Sequence, residues 1–479
     1  MINLKEVFFG FSDADKEASR NPNTFKEVFF DPHGYLHELI DGDRFLVIGR
    51  KGDGKTAYGA QIKLLSNDSA CSFYAYQRSL NNFNNSTFEK IKANNDLGGN
   101  HYISFWKCVI LIECVRMINK FEPTIQLEEF TDIVSALNDQ GFFNFDNDIA
   151  TTIIKLIESD TSLDIKSVFK HSRRHEYDKE LKGADEIFSA ILNSIKNLYL
   201  HKKFIFIIDG LDDILNNSEY KPEIITGLIR AVDFINEIML KQTLNLKIII
   251  LIRDDIYNLC RDANLSKITR DSGIRLSWNI KDEPYKSDLI KLVSKRIDVV
   301  SGMENSFEDV WKDIFPSDVD GKDTLDYVLN NLIYRPRDIL QFFIEAQKEF
   351  EEGEKFTSEK IKTILSRYSD EYFVDAMKDE LTGFFPDNIV TKLPDVLSRI
   401  GSRYFYLEDF KEECKNYSDF ENVSKIEILE KLFAAGYIGQ HRPRDDRDLT
   451  VFSFRNSREK FDASHECILH RGLMRALTI

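Results

Sequence analysis

The residues Gly49-Arg50-Lys51-Gly52-Asp53-Gly54-Lys55-Thr56 carry the spacing Gly-x-x-x-x-Gly-Lys-Thr and run on into Ala57. Each residue type there has a physical task. The glycines let the backbone curl until its N–H groups converge on phosphate oxygens, the Lys55 ammonium reaches the same oxygens, and the Thr56 hydroxyl can hold Mg²⁺. A helix starting near Lys55 aims its positive end into the same loop. The pattern therefore predicts binding of a nucleotide's phosphates. Asp53 is a departure: its carboxylate repels a polyanion unless the side chain turns away, and Arg50 and Lys51 offset its charge.

A second group of residues has the chemistry to complete such a site. Asp209 ends the apolar run Lys203-Phe-Ile-Phe-Ile-Ile208. A carboxylate at the carboxyl end of a buried strand stands where open α/β sheets bind ligands, and it can hold Mg²⁺ through its water shell. Asp212 and Asp213 follow on the next turn as candidates to orient or deprotonate an attacking water, against the plainer reading that they cap the next helix. Arg253, at the end of the apolar run Leu246–Ile252, is a candidate contact to the terminal phosphate; the competing reading is an ion pair with Asp254 or Asp255. Arg261, Arg270 and Arg275 are the nearest cations that can reach a neighbouring subunit's nucleotide. His171 and His175 have the spacing of a helical metal pair, but Lys170, Arg173 and Arg174 crowd them, so a solvated basic turn is preferred.

These residues need a parallel sheet to hold them. Phe45–Ile48, 203–208 and 246–252 are short runs that are apolar apart from Lys203 and Lys247, the signature of strands buried on both faces. Ala70–Tyr76 and Ile274–Asn279 read as the remaining strands. Asp31-Pro32 resembles a helix cap with proline at the first helical position, opening a helix to about Ile40; Phe29, Phe30, His33 and His37 are then candidate neighbours of a base, or ordinary packing residues. Phe8, Phe9, Phe11 and Phe25 mark a segment that packs on something. His101–Lys120 has helical spacing, and about 125–200 continues helical and charged.

Length, charge and cysteines set the wider frame. A chain of 479 residues exceeds one core and predicts two or three domains. A formal net charge of -16 argues against an extended nucleic-acid surface. No run approaches the ~20 apolar residues of a membrane span, and the first residues lack a secretion signal. Six cysteines without CxxC spacing fit free thiols in a cytoplasmic protein and make zinc an unlikely guest.

Beyond the sheet, 283–385 reads as helices, Ser287–Val300, Thr324–Ile333, Pro336–Phe350 and Ser358–Met377, forming a lid that moves as a hinge. From about 390, helices at Leu393–Ile400 and Ser424–Ala435, strands at Gly436–Gln440 and Leu449–Arg455 and a terminal helix at Ile468–Leu477 make a winged-helix pattern. Its loop carries Arg442, Arg444 and Arg447, with Arg455 nearby, as phosphate partners for DNA, but Asp445, Asp446 and Asp448 interrupt that charge and favour protein docking. The domains so read are 1–40 (N-terminal segment and leading helix), 41–282 (α/β core with a helical insertion at about 100–200), 283–385 (lid) and 386–479 (winged helix).

With the loop, the Asp-Gly-Leu-Asp-Asp stretch at 209–213 and Tyr334-Arg335-Pro336-Arg337-Asp338 in view, the chain resembles the P-loop ATPases of the AAA+ and STAND superfamilies, in particular bacterial ATPases with those three motifs. The resemblance implies an AAA+-like five-stranded parallel sheet with helical insertion, helical lid and winged helix. By analogy, Lys55 and Thr56 take the Walker A roles in binding ATP, Asp209 the Mg²⁺ role, Asp212 or Asp213 water activation, Arg253 the first sensor, and Arg335 or Arg337 the second. It further implies a homo-oligomer whose ATP state controls assembly or binding of a separate effector, as in prokaryotic defence against phage. The alternative is a replication-initiator-like ATPase that binds DNA through the winged helix. No Glu follows Asp209, which implies slow hydrolysis.

Overall fold

β-Branched and aromatic runs decide where the sheet forms. In the computed structural model, which describes residues 2–80, 99–143, 149–158, 184–211, 222–278, 283–302, 307–444, 447–456 and 459–479, five strands assemble in parallel. They are β1 (Leu46–Gly49), β2 (Phe73–Ser79), β3 (Lys203–Asp209), β4 (Leu246–Arg253) and β5 (Gly273–Arg275). Their order is β2-β3-β4-β1-β5, which places β1, the strand that leads into the glycine-rich loop, between β4 and β5. The central strands are buried along their length, as a parallel sheet covered on both faces requires. Residues 274–279 were expected as one strand; pairing with β1 ends at Arg275, and Trp278 instead turns its indole to another task.

The chain divides into two compact units: His33–Gly49 with Lys55–Leu276, and Met1–Pro32 with Arg50–Gly54 and Ser277–Ile479. The first holds the sheet, the helix α1 (Lys55–Ser66) that follows the phosphate loop, and the insertion helices α2 (Gly99–Phe121), α3 (Glu128–Asp139), α4 (Ile149–Glu158) and α5 (Ala184–Lys196). Inside the insertion a buried ion pair joins Arg116 to Glu113 at 2.6 Å, and Thr152 donates to the same carboxylate. Taking such a charge pair out of water is costly, and the Phe142 carbonyl and Thr152 hydroxyl that accept from Arg116 offset part of that cost.

The second unit holds α6 (Asp288–Ser301), α7 (Pro336–Glu349), α8 (Ser358–Tyr368) and α9 (Val374–Leu381). Ser358–Met377 was expected as a single helix; a π turn over Ser369–Phe373 interrupts it. The phenylalanine-rich N-terminal segment packs here, with Phe9 stacked on Phe343 at 4.9 Å and Glu17 ion-paired to Arg296 at 2.9 Å, both charges buried. Its proline-capped helix is Pro22–Val28; the expected helix start at Asp31-Pro32 is a turn, and the leading helix begins at Tyr35 after a left-handed Gly34.

The same unit ends in the winged helix: α10 (Asp387–Ile400), β6 (Tyr404–Phe405), α11 (Leu407–Cys414), α12 (Lys425–Ala435), β7 (Ile438–Arg444), β8 (Arg447–Val451) and β9 (Glu466–Leu469), with sheet order β8-β7-β9-β6. The expected terminal helix from Ile468 to Leu477 is a correction. Cys467, Ile468 and Leu469 are all buried in a strand flanked on both sides, and only Arg471–Met474 is helical. A buried apolar run of three fits either period, and the open sheet edges decide it.

Candidate phosphate-binding site

In the sheet unit, register places the acid relative to the loop. Ile208 of β3 and Leu46 of β1 both pair with Ile250 of β4, so Asp209 stands level with Val47 and the loop leaves β1 two residues further on, at the same carboxyl edge. Ligands of open α/β sheets bind beyond that edge. Lys55 is buried at the start of α1, and its ammonium donates to the Gly49 carbonyl at 3.0 Å, folded back along the loop. Thr56 and Ala57 follow on the first turn of α1, both half-buried.

Asp209 is oriented from two sides. Its Oδ1 accepts from the Gly210 N–H at 2.8 Å, and its Oδ2 accepts from the Gln77 side-chain amide at 3.3 Å. Gln77 comes from β2, beside β3. Arg253 ends β4 opposite Gly49, buried, with its guanidinium bidentate on Asp255 at 3.0 and 2.6 Å. Of the cations offered to a neighbouring subunit, Arg275 lies over the Tyr257 ring.

In the other unit, residues 50–54 form the loop's outer turn, and Arg50, Lys51, Gly52 and Asp53 are held from outside. Gly52 and Gly54 have φ of +89° and +94°, a region that only glycine enters at low cost. A Cβ on Gly52 would stand 3.2 Å from the Cβ of Arg337, so the close approach also requires glycine. Arg50 donates to the Tyr334 carbonyl at 3.0 Å, Arg335 donates to the Lys51 carbonyl at 3.2 Å, the Arg337 N–H donates to the Gly52 carbonyl at 3.4 Å, and the Trp278 indole donates to the Asp53 carbonyl at 3.0 Å. The Lys51 ammonium reaches Asp379. Asp53 resolves the charge conflict by turning inward: fully buried, its carboxylate accepts from the Arg50 N–H at 2.8 Å and pairs with the Arg50 guanidinium.

Arg335 is the centre of this turn. Its Nε donates to Asp338 at 2.5 Å, Nη1 to Lys51 O and to Glu380 at 3.0 Å, and Nη2 to Asp338 at 3.1 Å and to the Tyr437 hydroxyl at 3.3 Å. A guanidinium has five N–H donors, and all five are used. Burial works against its charge, but the Asp338 carboxylate, together with Tyr437 and Tyr372, holds the group well above the ordinary arginine range. Asp338 also accepts from Tyr368 at 3.1 Å and Tyr372 at 3.0 Å, one on each side of the start of the π turn. Burial, with Asp338 adding to it, pushes both phenols up and keeps them as neutral donors. The Arg337 side chain is half-buried and makes no hydrogen bond or ion pair with any described residue.

Other candidates separate. Asp212 and Asp213, and the His171, His175 pair, lie outside the described residues. No group of described His, Cys, Asp or Glu side chains could hold a metal by itself. His37 is exposed and paired with Asp41; His33 packs beside Tyr35, which in turn lies 6.4 Å from Tyr58. Phe30 packs on Trp278, the residue that holds Asp53. In the wing, Arg442 is ion-paired to Glu459, and Arg455 donates to Asn330 at 3.0 Å and covers the rings of Tyr334 and Phe454. Among the described residues no helix is long and apolar enough to cross a membrane. Gln77, Trp278, Glu380 and Tyr437 escaped the sequence reading: none sits in a motif, and Glu380 and Tyr437 lie 45 and 102 residues from Arg335.

Residues 287–377 match the FunZ-associated C-terminal helical domain, a segment that contains Arg335, Arg337, Asp338, Tyr368 and Tyr372. The putative transposon gamma-delta 80.3 kDa protein of Escherichia coli K12 is 23% identical over 306 residues, 59% of this chain and 41% of that protein, so the chain spans about two-fifths of that relative's length. The crystal structure of Cdc6p from Pyrobaculum aerophilum aligns with 96% of this chain and 98% of its own at 12% identity, with a TM-score of 0.31, a loose likeness only.

Proposed function

We propose that this chain is an ATP-binding and slowly hydrolysing molecular switch of the AAA+ and STAND kind, whose nucleotide state controls assembly or the binding of an effector on a separate chain. The observation that carries the reading is the common carboxyl edge of β1 and β3, with Lys55 folded along the loop and Asp209 held in one orientation by Gly210 and Gln77. The hydroxyl of Thr56 and the carboxylate of Asp209 are hard oxygen donors of the type Mg²⁺ takes. Bound there with ATP, Mg²⁺ would neutralise charge on the phosphates. Lys55 binds those phosphates, the outer turn presents its amides, and Asp212 or Asp213 orients the attacking water. Arg337 is the better second sensor, because Arg335 has no N–H to spare. Arg253, ion-paired to Asp255, is the proposed first sensor.

Equilibrium binding of ATP with and without Mg²⁺, followed by radiolabelled turnover, tests this reading. Micromolar binding with slow, Mg²⁺-dependent release of phosphate is expected; no binding would reject it. Gln77→Ala supplies a finer check. Loss of a partner that orients a ligating carboxylate costs roughly 10-fold in metal affinity. The Mg²⁺ concentration for half-maximal tight ATP binding is therefore expected to rise by about that factor, with Mg²⁺-free binding unchanged.

For the winged helix, the proposed role is protein docking within a prokaryotic, anti-phage defence setting and a homo-oligomeric assembly. Support comes from α12, the helix such domains present to partners. It carries Glu427 and Glu430, its Lys425 is tied to backbone carbonyls, and its Lys431 lies on the Phe384 ring. The alternative, an initiator-like DNA-binding ATPase, predicts salt-dependent DNA affinity lost when Arg442, Arg444 and Arg447 are replaced together. We expect no DNA binding at low ionic strength in the unaltered protein; a clear, Arg-dependent shift would select the alternative.

A further inference from the structure

We propose that Arg335 is a positioning residue that aims the amides of the phosphate loop and links their direction to the winged helix through Tyr437. The inference rests on the nucleotide-site reading above and names the regulation of that site.

The first half follows from peptide geometry. A peptide unit is planar, so the carbonyl of one residue and the N–H of the next point in opposite directions. Arg335 fixes the Lys51 carbonyl and thereby the direction of the Gly52 N–H; Trp278 fixes the Asp53 carbonyl and thereby the Gly54 N–H. The carbonyls are drawn toward Arg335 and Trp278, so the amides that follow point away from those two side chains. These amides belong to the two residues whose positive φ makes the turn flexible. Without an outside hold, either peptide can rotate and present a carbonyl, which repels phosphate.

The second half follows from what else Arg335 holds. Tyr437 stands immediately after Gly436, the left-handed residue that ends α12, and immediately before β7. Its N–H donates to Leu432 of α12 at 2.9 Å and its carbonyl accepts from His470 at 2.9 Å, so its place is set by the helix and the wing together. The ring is fully buried against Phe373 of the π turn at 5.0 Å. Its hydroxyl is one of five acceptors that saturate Arg335. A partner that shifts α12 moves this acceptor, and the guanidinium must turn toward its remaining acceptors or lose a bond, which moves the Lys51 carbonyl with it. Coupling of binding free energies is reciprocal, so phosphate bound at the loop must bias α12 by the same amount.

The full-length Tyr437→Phe variant tests this with the ring and its packing kept and one oxygen removed. Two quantities are read: the Kd for Mg²⁺·ATP, and amide hydrogen exchange over residues 425–442 with and without ATP. In the unaltered protein ATP is expected to change exchange in that segment. In Tyr437→Phe the ATP-dependent change is expected to disappear, and the Kd to shift by about 5-fold, the low end of typical coupling. Tyr368→Phe is the control, because it removes a hydroxyl from the same Asp338 without touching the loop or the winged helix; it should leave Kd and ATP-dependent exchange unchanged. Equal effects of the two variants would reduce the cluster to a structural one and overturn the proposal, as would an unaltered response in Tyr437→Phe. If the unaltered protein bound no ATP at all, the site reading itself would fall, an outcome distinct from either.

Discussion

Lys55→Ala is expected to weaken ATP binding by about 10²–10³-fold, the largest functional effect of any single substitution in this chain. Hydrogen bonds to charged groups contribute roughly 1.5–3 kcal/mol each, and an ammonium serving two phosphates accounts for about 3–4 kcal/mol, which is that factor in Kd. Burial of the side chain adds to the effect, since little water is at hand to replace it. The fold should tolerate the change: the ammonium's own bond is to the Gly49 carbonyl, an acceptor at the edge of the sheet. Titration with a fluorescent ATP analogue, with circular dichroism to confirm folding, checks both halves. Undiminished binding would mean that phosphate is held elsewhere. Thr56→Ala gives the contrasting result, with binding retained in the absence of Mg²⁺ and the Mg²⁺-dependent gain lost.

Arg335→Ala is expected to have the largest effect on stability. It leaves the buried carboxylates of Asp338 and Glu380 without their cation, and stripping one partner from a buried ion pair costs about 3–5 kcal/mol. The loss should appear as a lower urea midpoint for the unit containing residues 277–479. Neutralising the acids as well, in Arg335→Met with Asp338→Asn and Glu380→Gln, should recover much of the stability, because no charge then remains buried. It should not recover ATP affinity, because Lys51 still lacks its donor. Recovery of both would show that the guanidinium serves the fold alone.

Much of this was legible in the chain itself, for a physical reason. A parallel strand buried on both faces has to be written as a continuous apolar run, so β1, β3 and β4 could be placed within a residue or two, and the acid at the end of β3 could be placed with them. The tight turn after β1 was legible because few residue types permit the positive φ of Gly52 and Gly54. What stayed hidden was whatever depends on distant partners. Arg335 read as a cation for phosphate, since its neighbours Pro336 and Arg337 carry no hint that Glu380 and Tyr437 converge on it. Arg442 read as a choice between a DNA phosphate partner and a residue of a docking surface, and its ion pair with Glu459, 17 residues away, could not be seen in the sequence. The strand at Glu466–Leu469 was missed because three apolar residues fit two periods, and only the company of β6 and β7 selects one.

The allocation of the phosphate loop has one more consequence. Gly49 and Lys55 belong with the sheet, whereas Arg50–Gly54 belong with the helices that begin at Ser277. A fragment ending near residue 282 would retain the Gly49–Thr56 loop and the acid at Asp209 and yet lack Tyr334, Arg335 and Arg337, which brace the turn. Such a truncated piece should be a poor binder despite its intact loop. The same interdependence limits how these segments can be exchanged among related genes, since a swapped C-terminal half must bring along a cradle fitted to the incoming turn.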